Sequence, residues 1–240
     1  MRIGIAGVGL IGGSLALALR ERHEVVAFDP AGTGEIAGTP TLAGLFPADV
    51  VIVATPLALI VPTLASLVPL AGPTVLLDVG SVKREVARFA ATAPESARIV
   101  GGHPMAGSTG SGLAAARGDL FQDRPFLLVP TLRSDDAAMA VAGDLARAIG
   151  AVPTVLSAEV HDRAVALLSG LPLVVARALA AVGADVAALA GPGFRDMTRL
   201  ATTPEPLADA MLAGNADQIR AALAAFRVAL ATVEQELGGP

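Results

Sequence analysis

The chain contains no cysteine, tryptophan or tyrosine. Without cysteine there is no disulfide, no thiol nucleophile and no cysteine-ligated metal, and the redox character of the compartment is left open. Aromatics make up only 3% of the 240 residues, so the core has to be packed from aliphatic side chains, chiefly Ala, Leu and Val, within an apolar content of 53%. Basic runs are also missing, and a net charge of −5 offers no electrostatic footprint for nucleic acid. Charge is absent altogether from Val50–Leu77, a stretch long enough to raise the question of a membrane span. Pro56, Pro62, Pro69 and Pro73 interrupt it, and it divides into strand, short helix and strand. Met1–Arg20 has the outline of a signal peptide, but its glycines at 4, 7, 9, 12 and 13 and the charged Arg20-Glu21-Arg22 fit a strand–turn–helix better. No residues are assigned to a metal. The chain reads as soluble and cytoplasmic, with neither membrane nor nucleic acid as a partner.

What is present is alternation. Short β-branched runs at Arg2–Ala6, Glu24–Phe28, Val50–Ala54, Thr74–Leu77, Arg98–Gly101, Pro125–Val129 and Val152–Leu156 are separated by Ala/Leu-rich helical stretches. Their near-continuous apolar character suits strands covered on both faces, as in a parallel sheet with crossover helices. The Gly-, Thr- and Pro-rich connection from Pro30 to Ala48 leaves little room for a helix. After about residue 157 the strand signal ends. Asp162–Ala190 is helical in composition, with a kink expected near Leu168–Pro172 where Pro172 removes a backbone donor. His161-Asp162 is expected to start that helix. Asn215 and Gln218 form a capping-box pattern ahead of a stripe of Ile219, Leu223, Phe226, Leu230, Val233 and Leu237 at helical spacing. The expected organisation is an α/β, doubly wound, mostly parallel sheet over residues 1–156 and an all-α domain over 157–240.

Gly7-Val8-Gly9-Leu10-Ile11-Gly12 follows the first strand and opens a helix. Gly7 permits the tight turn, Gly9 lets backbone approach a pyrophosphate, and Gly12 allows close helix–strand packing. The N–H groups at the helix start, those of Leu10 and Ile11 among them, then face the phosphates. Asp29 ends the second strand, where a carboxylate accepts from ribose hydroxyls and repels a 2′-phosphate, which favours NAD over NADP. Thr55-Pro56, past the third strand, borders the same cleft, and Thr55 alone reads equally as a helix cap.

Gly101-Gly102-His103-Pro104-Met105-Ala106-Gly107-Ser108 sets one of three histidines on a loop after the fifth strand. Histidine exchanges protons near neutral pH, so His103 is a candidate general base, although a structural loop histidine is the other reading. Ser81 carries a hydroxyl that donates and accepts, or else caps a helix over Val82–Ala90. Arg199 is suited to clamp a carboxylate, or else pairs with Asp196 at i,i+3. Arg195 reads as structural and His23 as a solvated surface residue.

Taken together, GVGLIGGSL at Gly7–Leu15, Ala54-Thr55-Pro56, Asp78–Lys83 (DVGSVK), Gly101–Ser108, His161-Asp162 and Gly193–Arg199 (GFRDMTR) resemble the prephenate/arogenate dehydrogenase family in order and over most of the chain. The resemblance implies a Rossmann-type NAD(P)-binding domain and a helical domain that forms a homodimer. It implies oxidative decarboxylation of a cyclohexadienyl acid in tyrosine biosynthesis, with His103 as base, Ser81 its hydrogen-bonding partner near the substrate 4-hydroxyl, and Arg199 holding a substrate carboxylate. The family's Ser-His-Leu-Pro-His is Ser169-Gly170-Leu171-Pro172-Leu173 here, its acidic residue after Ala-Gly-Ser is Thr109, and its tryptophan near Leu207 is missing. These departures leave open a related acid, such as the 4-amino analogue of prephenate, or a non-catalytic NAD-binding regulator. A β-hydroxyacid dehydrogenase is disfavoured because Ala164–Ala190 has no lysine.

Overall fold

A computed structural model describes residues 1–108 and 110–238. Thr109 lies outside the described residues. The chain divides into two compact units, Met1–His161 and Asp162–Pro240.

The first unit is built on seven strands: β1 (Arg2–Ala6), β2 (Glu24–Phe28), β3 (Val50–Val53), β4 (Val75–Asp78), β5 (Arg98–Pro104), β6 (Pro125–Pro130) and β7 (Val152–Val155). They lie in the order β2-β1-β3-β4-β5-β6-β7, all parallel neighbours except β5 against β6. Side chains alternate between the faces, as strand geometry requires. Ile3, Ile5, Val50, Ile52, Val75 and Leu77 pack on one side with α1 (Leu10–Leu19), while Ala6, Val51, Val53 and Leu76 pack on the other with α2 (Leu57–Ala71) and α3 (Arg84–Thr92). Both faces are therefore dry, which is why these strands read as unbroken apolar runs. The β2–β3 connection contains only a four-residue turn of helix, Leu42–Leu45. The chain crosses from β2 over β1 to β3, so strand order reverses between β1 and β3. Such a switch point opens a crevice beyond the carboxyl ends of the strands.

Two expectations need correction here. His103 is not on a loop after β5 but inside it: the strand runs on to Pro104 because β6 supplies an antiparallel partner, with His103 opposite Leu127. Ser81 does not cap a helix over Val82–Ala90, since α3 starts at Arg84 and no side chain caps it.

After α4 (Asp136–Ala148) and β7 comes α5 (Ala158–Val165). Ser157 Oγ accepts from Val160 N at 3.2 Å, so this helix starts ahead of His161-Asp162 rather than at it. In the second unit the expected kink is a π turn, Ala166–Gly170, followed directly by α6 (Leu171–Val182), which carries Pro172 in its first turn. A proline that cannot donate to the turn before it is a usual cause of such a bulge. The unit continues with α7 (Pro192–Thr198), α8 (Glu205–Gly214) and α9 (Ala216–Leu237). Asn215 precedes α9 as expected, but its side chain does not cap that helix. It donates to Asp162 O at 2.6 Å, and Gln218 turns to Asp217, so the capping box is not formed.

Candidate active site

Gly7 has a φ of +96°, and a Cβ there would lie 2.7 Å from Ala54 C, so the turn after β1 and the end of β3 touch at the switch point. Gly12 is packed against Gly7 O with no space for a side chain, whereas a Cβ at Gly9 would meet nothing within 4 Å. Two glycines close the turn and the third faces open space. No side chain caps α1, so the N–H groups of Leu10, Ile11 and Gly12 have no acceptor within the helix. They form a site for an anionic group.

Asp29 is fixed beside this turn. Its Oδ2 accepts from Val8 N at 2.7 Å and its Oδ1 from Ala31 N at 2.8 Å. Each carboxylate oxygen has a further lone pair for a hydroxyl donor. Thr55 is not a helix cap: Pro56 takes that place before α2, and Thr55 Oγ1 is buried without a partner among the described residues. An open glycine, an uncapped helix start, a tethered carboxylate and an orphaned hydroxyl together fit a dinucleotide.

At the carboxyl end of β4, Asp78 Oδ1 accepts from Gly80 N at 2.9 Å and so sets the turn that carries the partly exposed Ser81. Asp78 also pairs with Lys83, and both are fully buried. Burial pushes the Asp78 carboxyl up, against the pull of the lysine and the nearby N–H groups. Lys83 Nζ donates to Gly102 O at 2.7 Å, and its stem lies where a Cβ at Gly101 would come within 3.1 Å. A Cβ at Gly102 would fall 2.7 Å from Asp78 O. Gly101-Gly102 is thus the slot through which the ion pair grips β5, and the next residue is His103.

His103 Nδ1 lies 3.0 Å from His161 Nε2. Burial, reinforced by His161 and Lys83, holds the His103 imidazole well below 6.5. It is neutral at neutral pH, as a base must be.

Sequence reasoning missed Lys83 and gave His161 no chemistry. A signal for the first was in view: Lys83 is the only lysine among 17 basic residues. Arginine serves everywhere else, and a compact ammonium is what fits a buried carboxylate beside a glycine strand. His161 offered no comparable signal, because the contact spans 58 positions.

The first unit thus brings Gly7, Gly9, Leu10, Ile11, Gly12, Asp29, Thr55, Pro56, Ser81 and His103 to the carboxyl ends of β1 to β5. Arg199 belongs to the second unit, where it is exposed at the end of α7 and makes no ion pair with Asp196 among the described residues. The positions that lack the family's histidines are filled by packing. A Cβ at Gly170 would lie 2.6 Å from Ile219, and Leu173 is buried.

Two family models match the chain: "Prephenate dehydrogenase, nucleotide-binding domain" over residues 17–155 and "Prephenate dehydrogenase, dimerization domain" over residues 157–238. The chain belongs to the prephenate dehydrogenase family. The first match begins after the glycine turn, so the reading of that turn rests on its geometry. A prephenate dehydrogenase family protein of Streptomyces niveus, named a probable prephenate dehydrogenase, is 38% identical over 74% of this chain and 51% of its own. Arogenate dehydrogenase of Synechocystis superposes with a TM-score of 0.85 at 30% identity, covering 99% of this chain and 92% of that one. Prephenate dehydrogenase of A. aeolicus, solved with hydroxyphenyl propionate and NAD+, superposes with a TM-score of 0.89 at 25% identity, over 98% and 90%. The chain spans about half to two thirds of the length of the first curated relatives it matches.

Proposed function

We propose that this member of the prephenate dehydrogenase family is an NAD-dependent dehydrogenase that oxidatively decarboxylates a cyclohexadienyl acid, prephenate or arogenate. The observation that carries this reading is His103, a neutral imidazole locked in a strand ladder next to the Ser81 turn and the nucleotide crevice.

The N–H groups of Leu10, Ile11 and Gly12 would hold the pyrophosphate, Asp29 would accept from the ribose hydroxyls, and Thr55-Pro56 would border the same cleft. A bound NAD would supply the hydride acceptor for the ring carbon that bears the 4-hydroxyl. His103 takes the proton of that hydroxyl, and Ser81 bonds the same oxygen. Loss of carbon dioxide leaves its electron pair in the ring, which becomes aromatic. The oxygen then recovers the proton from His103, so the histidine ends as it began. Arg199 holds a substrate carboxylate through paired, charge-assisted N–H bonds.

The direct test follows absorbance of the reduced nicotinamide with prephenate and arogenate side by side, each with NAD and with NADP. Turnover of one acid at least, faster with NAD, is expected. Binding of NAD with no turnover of either acid would leave a non-catalytic regulator.

We also infer a homodimer through the helical unit. Ala158–Val182 has a mean hydropathy of 2.1 over its most apolar window, of which only 28% is buried. Leu168 and Val182 within it, and Val186, Leu189 and Leu237 beyond it, are exposed, large apolar side chains of the kind that interaction surfaces carry. In a family whose second domain is described as a dimerization domain, a second copy is the natural cover. Sedimentation should give twice the chain mass; a monomer at micromolar concentration would count against it.

A further inference from the structure

We propose that His103 is one half of a histidine dyad, in which His161 acts as a positioning residue that keeps a proton on His103 Nδ1 and so leaves Nε2 as the base. The substrate proton that Nε2 receives rests on the function proposed above; the dyad itself does not.

The argument starts from one proton. His103 Nδ1 and His161 Nε2 are 3.0 Å apart, and the rings are tilted by 58° with centroids 5.2 Å apart. Two nitrogens at that distance share a single hydrogen, so one donates and the other accepts. If His161 donates, a neutral His103 carries its own hydrogen on Nε2 and has no lone pair to offer a substrate. If His103 donates, Nε2 is bare. Only the second arrangement makes His103 a base, and it requires a neutral His161 with its own hydrogen on Nδ1.

The surroundings favour that arrangement. His161 is fully buried on a helix whose start is fixed by Ser157, and His103 is held by its ladder to β6. The backbone that carries each ring is therefore fixed, and the 3.0 Å contact joins the rings themselves. The charged group that faces His103 is Lys83, from the turn before α3, balanced by Asp78 at the end of β4. A cation there opposes a positive charge on His103, and in this arrangement the short contact has His103 Nδ1–H as donor and the Nε2 lone pair of His161 as acceptor. When Nε2 takes the substrate proton, His103 becomes an imidazolium whose Nδ1–H still points at the His161 lone pair. That contact strengthens as charge develops, the role an aspartate plays behind the histidine of a serine protease triad. The proton passes from the substrate oxygen to Nε2 and back, so the dyad carries it without net gain.

Three histidines make the tautomers readable. In protein with 15N-labelled histidine, a His23→Gln variant identifies the His23 signals, and two-bond nitrogen–proton correlations report which nitrogen of His103 bears hydrogen. The expected result is hydrogen on Nδ1 in the parent chain and in His161→Gln, whose amide oxygen sits near the position of Nε2. In His161→Leu the hydrogen should move to Nε2. Kinetically, His161→Leu should lower kcat by about 10²-fold with KM within about threefold, and His161→Gln should recover most of it. Hydrogen on Nε2 of His103 in the parent overturns the dyad, whatever the turnover. So does His161→Leu turning over at the parent rate. Hydrogen on Nδ1 in a chain that oxidises neither acid supports the dyad and refutes the proposed reaction instead.

Discussion

Replacing His103 with alanine is expected to lower turnover by about 10²–10⁴-fold, the usual contribution of a general base, while NAD affinity stays close to the parent value. The groups proposed to hold the nucleotide lie at the ends of β1 to β3, whereas His103 is fixed from β5 and β6 and from Lys83, so the deletion should remove the proposed proton acceptor without disturbing the crevice. Arg199→Ala should show the opposite split, with raised KM for the acid and a smaller change in kcat. The pH profile carries the same test. Burial, then His161 and Lys83, hold the His103 imidazole well below 6.5. A base with a lowered pKa remains unprotonated to lower pH, so kcat/KM should hold steady as pH falls past 6.5 and decline only below it. An acid limb centred above 6.5, or an alanine variant as fast as the parent, would remove His103 from the role of base.

The parts of this molecule that could be read from sequence are those whose cause is local. All seven strands fall within three residues of their expected ends; two-sided burial imposes continuous apolar runs on the inner strands, while the edge strand β7 is short, β-branched and largely exposed. The glycine turn was legible because a positive φ at Gly7 and the close approach at Gly12 each demand glycine, and Asp29 because it closes the next strand. The misreadings share a different cause. β5 extends through His103 only because β6, more than twenty residues later, supplies hydrogen bonds beyond the end of β4. Asn215 has the residue type of a cap, but its amide is turned to donate to Asp162 O and its oxygen does not reach the helix N–H groups. Ser81 looked like a cap for the same reason of type, and Asp78 took over the turn. His161 is the sharpest case: it reads as a helix start, yet lies one turn inside α5, against the other histidine. The sequence reading left His103 without imidazole neighbours, since Gly170 and Leu173 replace the family's two. The structure gives it one from a different position.

The largest effect on stability should come from Lys83. In Lys83→Met the Asp78 carboxylate keeps Gly80 N–H but loses its counter-ion in a fully buried site. Removing one partner of such a pair costs about 3–5 kcal/mol, because the remaining charge is neither solvated nor paired. For a unit of this size that corresponds to a fall in Tm of roughly 10 °C. The carboxyl can escape by taking a proton, and burial already pushes it in that direction. The penalty should therefore shrink as pH is lowered toward the range where Asp78 protonates, which a simple loss of packing would not do. Adding Asp78→Asn to Lys83→Met removes the stranded charge while keeping an acceptor for Gly80, and should restore a large part of the loss. Denaturant unfolding of the parent, the single variant and the double variant measures all three terms. A single variant within about 1 kcal/mol of the parent, or a double variant less stable than the single one, would mean that the pair does not hold β5. If the single variant folds at low temperature, its kcat should still be reduced, since the bond from Lys83 to Gly102 O is the last fixed point before His103.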